Sequence, residues 1–213
     1  MSTLPSPRHF LTSLIDSIAN IQPAPVDDAR PGPPNSLRHL PPSVRPLLTT
    51  LHVLFPALLL PSLDLLDRSL VTAVLPEQQE EPSLKPSFFL VRSVALTSRK
   101  TYNAFTAATP YVVRLDAWNC SCANFAFEAF PSAGRGATIG PATEVDEPCD
   151  EDAGDLETEF GGLSFDGREA GGVPCCKHLL ACLLAERWGS VLGSYIVTRR
   201  ASKEEMVGLL ADT

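Results

Sequence analysis

Tyr111-Val112-Val113-Arg114-Leu115-Asp116-Ala117-Trp118-Asn119-Cys120-Ser121-Cys122 is answered, after 53 intervening residues, by Cys176-Lys177-His178-Leu179-Leu180-Ala181. In the first stretch Tyr111, Val113, Leu115 and Ala117 alternate with Val112, Arg114, Asp116 and Trp118. That is the period of a half-buried strand, predicted over Tyr111 to Trp118. It delivers the chain to a Cys-x-Cys pair. The second stretch opens a helix over Cys176 to Trp188, with Leu179, Leu180, Leu183, Leu184 and Trp188 on one face and Gly189 as its stop. Three thiolates and one imidazole complete a tetrahedral zinc set and leave no position for water or substrate. The spacing therefore predicts a structural Zn2+ site at Cys120, Cys122, Cys176 and His178, which holds a fold together rather than doing chemistry.

The long gap does not defeat this reading. Lengthening a loop from about 15 to 53 residues costs on the order of 1 kcal/mol, against roughly 10–16 kcal/mol from a structural zinc. Taken singly, each cysteine reads as a buried free thiol; two close-spaced pairs beside a strand and a helix read as ligands. Cys175 is the second choice for the third ligand, after Cys176, which makes the Cys-x-His spacing. Cys182 lies in an apolar run and reads as a packed core thiol, and Cys149 as a free one. A Cys176–His178 nucleophile and base is disfavoured, because residues two apart at a helix start do not face each other and no third orienting group is evident. Gly134-Arg135-Gly136 lacks the strand and the Lys-Ser/Thr of a phosphate loop.

The remaining composition fits a small core with long connections. Of 213 residues 44% are hydrophobic, with 20 prolines and 13 glycines. The tight cysteine spacings, and a start without a charged lead into an apolar run, point to a reducing compartment. Pro46 to Leu63 carries no formal charge and approaches the length of a membrane span, yet Pro56 and Pro61 interrupt it. It is read as buried helices, and no membrane is expected as a partner. Of the net charge of −8, residues 131–174 contribute −9, from eleven acidic and two basic residues. The rest of the chain is near neutral.

Helices are predicted over 7–20, with Ser6 as cap and Phe10, Leu11, Leu14, Ile15 and Ile18 on one face. Others start at Ser43 (Val44, Leu47, Leu48, Leu51, Phe55) and at Ser62 (Leu63, Leu66, Leu70). Phe88 to Leu96 is aromatic and β-branched and reads as a strand, Lys100 to Thr106 as a weaker one. A last strand is expected at Tyr195–Thr198 and a short helix at Ser202–Leu210, where Ser202 and Glu205 form a capping box. The expected organisation is an N-terminal helix and proline-rich linker (1–35), a helical region (36–75), a polar connection (76–87), a finger domain (88–188) and a C-terminal tail with a short helix (189–213). The finger carries a disordered or loose acidic insertion at 131–174. The fold class is α+β: N-terminal helices, then a small antiparallel hairpin or sheet and a helix of ββα type.

The pattern Cys120-x-Cys122…Cys176-x-His178-x-x-Ala181 resembles the SWIM zinc-finger family. Cys120-Ser121-Cys122-Ala123-Asn124-Phe125-Ala126-Phe127 and Cys176-Lys177-His178-Leu179-Leu180-Ala181 are similar to the SWIM-containing subunit of the eukaryotic Shu complex. Leu63-Asp64-Leu65-Leu66-Asp67-Arg68 and Lys100-Thr101-Tyr102 add to the likeness, which spans about residues 51–188 apart from the insertion. The family gap between ligand pairs is usually shorter, and the acidic stretch looks like a fungal-type expansion. The resemblance implies a nuclear, non-enzymatic factor of homologous-recombination repair with no small-molecule substrate. It would pair with a RecA-like recombinase paralogue to promote filament assembly, reaching single-stranded or branched DNA through that complex. The same family also supplies DNA-binding and ubiquitin-ligase adaptor modules, which is the alternative. Arg92, Arg99, Lys100, Arg114, Arg199, Arg200 and Lys203 would be the phosphate contacts of a directly DNA-binding version. Phe125, Phe127 and Phe130 are expected partly to pack on the finger helix and partly to anchor a partner. Ala181 is expected to let the helix approach the hairpin closely.

Overall fold

Pro7 opens α1 (Pro7–Ala19), where a missing N–H is harmless. Leu14, Ile15 and Ile18 of this helix enter the core, while Phe10, expected on the same face, is 44% exposed. The computed structural model describes residues 7–22, 42–78, 85–92, 109–130, 160–162, 172–211 and 213. The expected linker at 23–35, the strand at Lys100–Thr106, Cys149 and the Ser6 cap lie outside them.

The uncharged stretch folds as α2 (Val44–Leu54) and α3 (Leu59–Asp67), bent by 119°. Among the described residues no single helix is long and apolar enough to cross a membrane. Pro56 ends α2 as expected. Ser43 precedes α2 but makes no side-chain cap bond, since its own backbone is already helical. The third helix starts three residues earlier than Ser62, because Pro61 falls in its first turn, where no intrahelical N–H is required. Asp64 and Arg68, four apart on α3, form a surface pair 2.9 Å apart.

A five-stranded sheet follows, in the order β4-β3-β2-β1-β5. Its strands are β1 (Val71–Pro76), β2 (Phe88–Val91), β3 (Tyr111–Arg114), β4 (Asn119–Cys120) and β5 (Val197–Ala201). All neighbours are antiparallel except β1 and β5, which run parallel with Val74 opposite Arg199. The first strand lies inside the stretch read as helical. Four of its six residues are buried, on both faces of the sheet, so no alternation marks it. The strand predicted to reach Trp118 stops at Arg114. Leu115–Trp118 makes a turn closed by Trp118 N–H on Leu115 O at 3.1 Å, and Trp118 takes a left-handed φ of +42°. The last strand begins at Val197, two residues later than expected, because Gly193–Tyr195 forms a 3-10 turn.

Three further differences concern helices and the insertion. Ala123–Ala129 forms α4, which the sequence reading lacked. The predicted helix after Cys176 is α5 (Lys177–Arg187), but Gly189 does not stop it; Trp188 does, and Gly189 starts the short α6 (Gly189–Leu192). The chain then ends in α7 (Lys203–Ala211), whose capping box is present: Glu205 N–H donates to Ser202 Oγ at 3.3 Å and Ser202 N–H to Glu205 Oε2 at 2.9 Å. Within the acidic segment, Phe160–Gly162 are buried, Val173 packs against the core and Pro174 O accepts a hydrogen bond from Trp118. Phe160 is 2% exposed and belongs to the main core.

The protein is thus a mixed α+β fold with unequal faces. Val71, Ala73, Phe89, Val91, Val113 and Cys120 face a large core filled by α1 to α6. Val74, Phe88, Leu90 and Ala201 face a small one, covered by Met206, Leu209 and Leu210 of α7.

Candidate metal centre

The four residues singled out by spacing converge. Cys120 ends β4 and Cys122 precedes α4; Cys176 precedes α5, and His178 lies in its first turn. Their ligand atoms all lie within 4.8 Å of one another. His178 Nδ1 is 3.7 Å from Cys120 Sγ and 3.9 Å from Cys176 Sγ. A tetrahedron with sulfur at about 2.3 Å and nitrogen at about 2.0 Å from its centre has edges of about 3.5–3.8 Å. The donor set therefore has the size of a metal site, and the residues present fit an ion such as zinc. None of the four is more than 4% exposed, so the cluster is closed to solvent.

Two of the sulfurs also cap helices. Phe125 N–H donates to Cys122 Sγ at 3.4 Å, and Leu179 N–H donates to Cys176 Sγ at 3.5 Å. Each sulfur thus takes the place of the oxygen that usually satisfies a free N–H at a helix start. The same bonds favour the thiolate over the thiol. The thiols themselves cannot all ionise. Hydrogen bonds from Cys120 and Cys176 hold Cys122 far below the ordinary thiol value, helped by His178 and the Phe125 amide. Its partner Cys120 is driven far above that value by its hydrogen bonds to Cys122 and Cys176 and by burial. Cys176 is pushed up to about 11: its bond with Cys120 lowers it, and its bond with Cys122, burial and the Cys122 charge outweigh that. Three buried sulfurs side by side oppose one another's ionisation, a conflict that a divalent cation relieves.

The neighbours fix the ligands in place. The Tyr111 ring packs on the His178 imidazole, centroids 4.5 Å apart. Buried Ser62 Oγ lies 2.8 Å from Lys177 O and 2.7 Å from Leu58 O, so its hydroxyl ties α3 to the first turn of α5. Trp118 Nε1 donates to Pro174 O at 2.7 Å. Sequence reading missed Ser62, Trp118 and Tyr111 in these roles; only the position of Trp118 two residues before a ligand was a signal. Cys175, the second choice, points away: its Sγ faces Cys176 O at 3.7 Å and its N–H donates to Glu128 Oε2 at 3.1 Å. Burial raises its thiol well above the ordinary range, and does the same for Cys182 inside α5.

No family model matches this chain. No curated protein matches it either. The reading of the site rests on its own residues.

Of the three phenylalanines after the first pair, Phe125 is buried, whereas Phe127 and Phe130 are 76% and 78% exposed. Ala181 is fully buried in α5, which packs on α3, β3 and β4. Arg92, Arg114, Arg199, Arg200 and Lys203 are exposed, and Arg99 and Lys100 lie outside the described residues.

Proposed function

We propose that this chain is a non-enzymatic, zinc-stapled adaptor of SWIM type, and that it acts in homologous-recombination repair in the nucleus as the partner of a RecA-like recombinase paralogue. The observation that carries the metal half is the buried Cys120, Cys122, Cys176 and His178 cluster, whose ligand atoms all lie within 4.8 Å of one another. Four protein ligands fill a zinc coordination shell, which suits a structural ion and leaves no vacancy for a reacting group. When bound, the ion would supply charge to three sulfurs and a rigid junction between β4, α4 and α5. The hairpin of β3 and β4 against α5 supports a ββα-like SWIM unit.

The adaptor half rests on the motif likeness and on the exposed Phe127 and Phe130 beside the site. Exposed aromatic residues on a rigid element are the usual anchors of a protein interface. DNA is reached through the complex in this reading, while the exposed arginines on the sheet offer a direct contact as the rival.

The test is purification of the full-length chain with its bound proteins identified, alongside metal analysis of wild type and His178→Ala. The expected result is one zinc per chain and a RecA-like partner with wild type only. A reduced protein that purifies without metal and takes up none when zinc is supplied would sink the metal half. Capture of ubiquitin-ligase components, or steeply salt-sensitive DNA binding by the isolated chain, would replace the adaptor half.

A further inference from the structure

Two ligand pairs separated by 53 residues must be brought together before an ion can find them. The structure contains a device placed to do this without metal. Trp118 stands two residues before Cys120, and Pro174 two residues before Cys176. The 2.7 Å bond from Trp118 Nε1 to Pro174 O joins the two approach segments directly.

A tripeptide from the middle of the gap locks this joint. The Phe160 ring lies against Trp118, centroids 4.6 Å apart, and against Phe55 on its other side at 5.8 Å. Gly162 adopts φ +56° and passes so close to the β3–β4 turn that an added Cβ would lie 2.6 Å from Leu115 O. Only glycine satisfies both the conformation and the space. The far side is tied to α1: Phe160 N–H donates to Thr12 Oγ1 at 3.0 Å, and Arg8 donates to Gly162 O at 2.8 Å.

We propose that Trp118 and Phe160–Gly162 form a clasp that sets the Cys120/Cys122 and Cys176/His178 pairs in ligand geometry before any ion binds. Its members are positioning residues and touch no metal. The clasp divides one long closure into two shorter ones and meets their entropy with hydrogen bonds and ring packing rather than with the ion. It makes α1, remote in sequence, part of the support of the site. The inference rests on the metal reading for its purpose but not for its test.

The full-length, reduced, metal-stripped chain is oxidised briefly with diamide, and its disulfides are mapped. Wild type is expected to join Cys120 or Cys122 to Cys176 well above the level of the urea-unfolded chain. Trp118→Phe, which keeps a ring and removes the donor, and Phe160→Leu should each lower that cross-pair yield about tenfold. Both should weaken cobalt binding by about the same factor, the scale seen when a residue supporting metal ligands is lost. The cobalt–thiolate absorption bands at saturation should not change, since the ligands remain. Met206→Ala, under the opposite face of the sheet, should lower Tm and move neither readout, which separates positioning from general stability. Should Trp118→Phe fail to fold, Phe160→Leu and Thr12→Val report on the same clasp. Cross-pair yield no higher than in the unfolded chain, or variants equal to wild type, overturns the proposal. If wild type binds no cobalt yet shows the clasp-dependent disulfides, the clasp stands and the metal reading fails.

Discussion

The two faces of the sheet are built from alternate residues of the same strands, yet they are held by different physics. Phe89 points into a core closed by six helices, a Cys3His cluster and two tryptophans. Phe88, its neighbour, belongs to a cluster of four buried residues under one helix that has no buried residue of its own. The large face is tied together by long-range bonds, such as Trp188 Nε1 to Ile21 O at 3.1 Å and Ser62 to Lys177 O. The small face relies on a local capping box. The contrast teaches that the site is supported by packing from remote parts of the chain, while the opposite face is a locally stabilised cover.

The largest expected effect breaks that contrast at its centre. His178→Ala, or exhaustive chelation, should remove the stabilisation that the bound ion supplies, the largest loss expected of any change here. Hydrogen exchange should then show α4 and α5 losing protection first, with β1 and β2 keeping more of theirs. Equal loss on both faces would show a single cooperative unit. Next in size is the pair of alanine substitutions in β2. Phe89→Ala should destabilise by about 3–5 kcal/mol, and Phe88→Ala by roughly half as much, because the partly exposed Met206, Leu209 and Leu210 can settle into the space. Denaturant midpoints compare them directly.

Smaller changes sharpen the comparison. Ser62→Ala leaves the large face intact but unties α3 from the start of α5. A loss of about 1–2 kcal/mol with weaker metal affinity is expected. Ser202→Ala should lose about 1 kcal/mol by removing the α7 cap, with metal affinity unchanged. The smallest effect concerns Glu186 on α5. Burial holds its carboxyl above the usual range, with Lys85 and Arg187 opposing the shift and Asp116 adding to it. An acid with a raised value in the folded state favours folding only while protonated. The ionised group thus opposes folding once pH passes the unfolded value. Glu186→Gln should raise Tm at neutral pH and lose that advantage as pH falls below about 4.

The convergence of Cys120, Cys122, Cys176 and His178 was legible because its signal is local: Cys-x-Cys after an alternating strand, and Cys-x-His at the head of an apolar helix. The capping box of α7 was legible for the same reason. What failed was non-local. Val71–Pro76 is covered on both sides, so its run of apolar residues carries no period that separates strand from helix. Trp118 was read as the last residue of a strand because alternation ignores the turn that its left-handed backbone makes. Phe160-Gly161-Gly162 is too short for any periodicity and is surrounded by acids, so composition placed it with solvent-facing loop. One aromatic followed by two glycines, of which the second has no room for a Cβ, was the signal there.

The parallel pairing of β1 with β5 has a consequence for the order of assembly. More than a hundred residues separate the two strands, so β1 is made long before its outer neighbour exists. Until Val197–Ala201 emerges, a nascent or truncated chain presents a bare, apolar strand margin to the cell, which is the kind of surface that invites sticking between molecules. Any chaperone that attends this protein should therefore be needed most during the interval between completion of β1 and the arrival of the final strand.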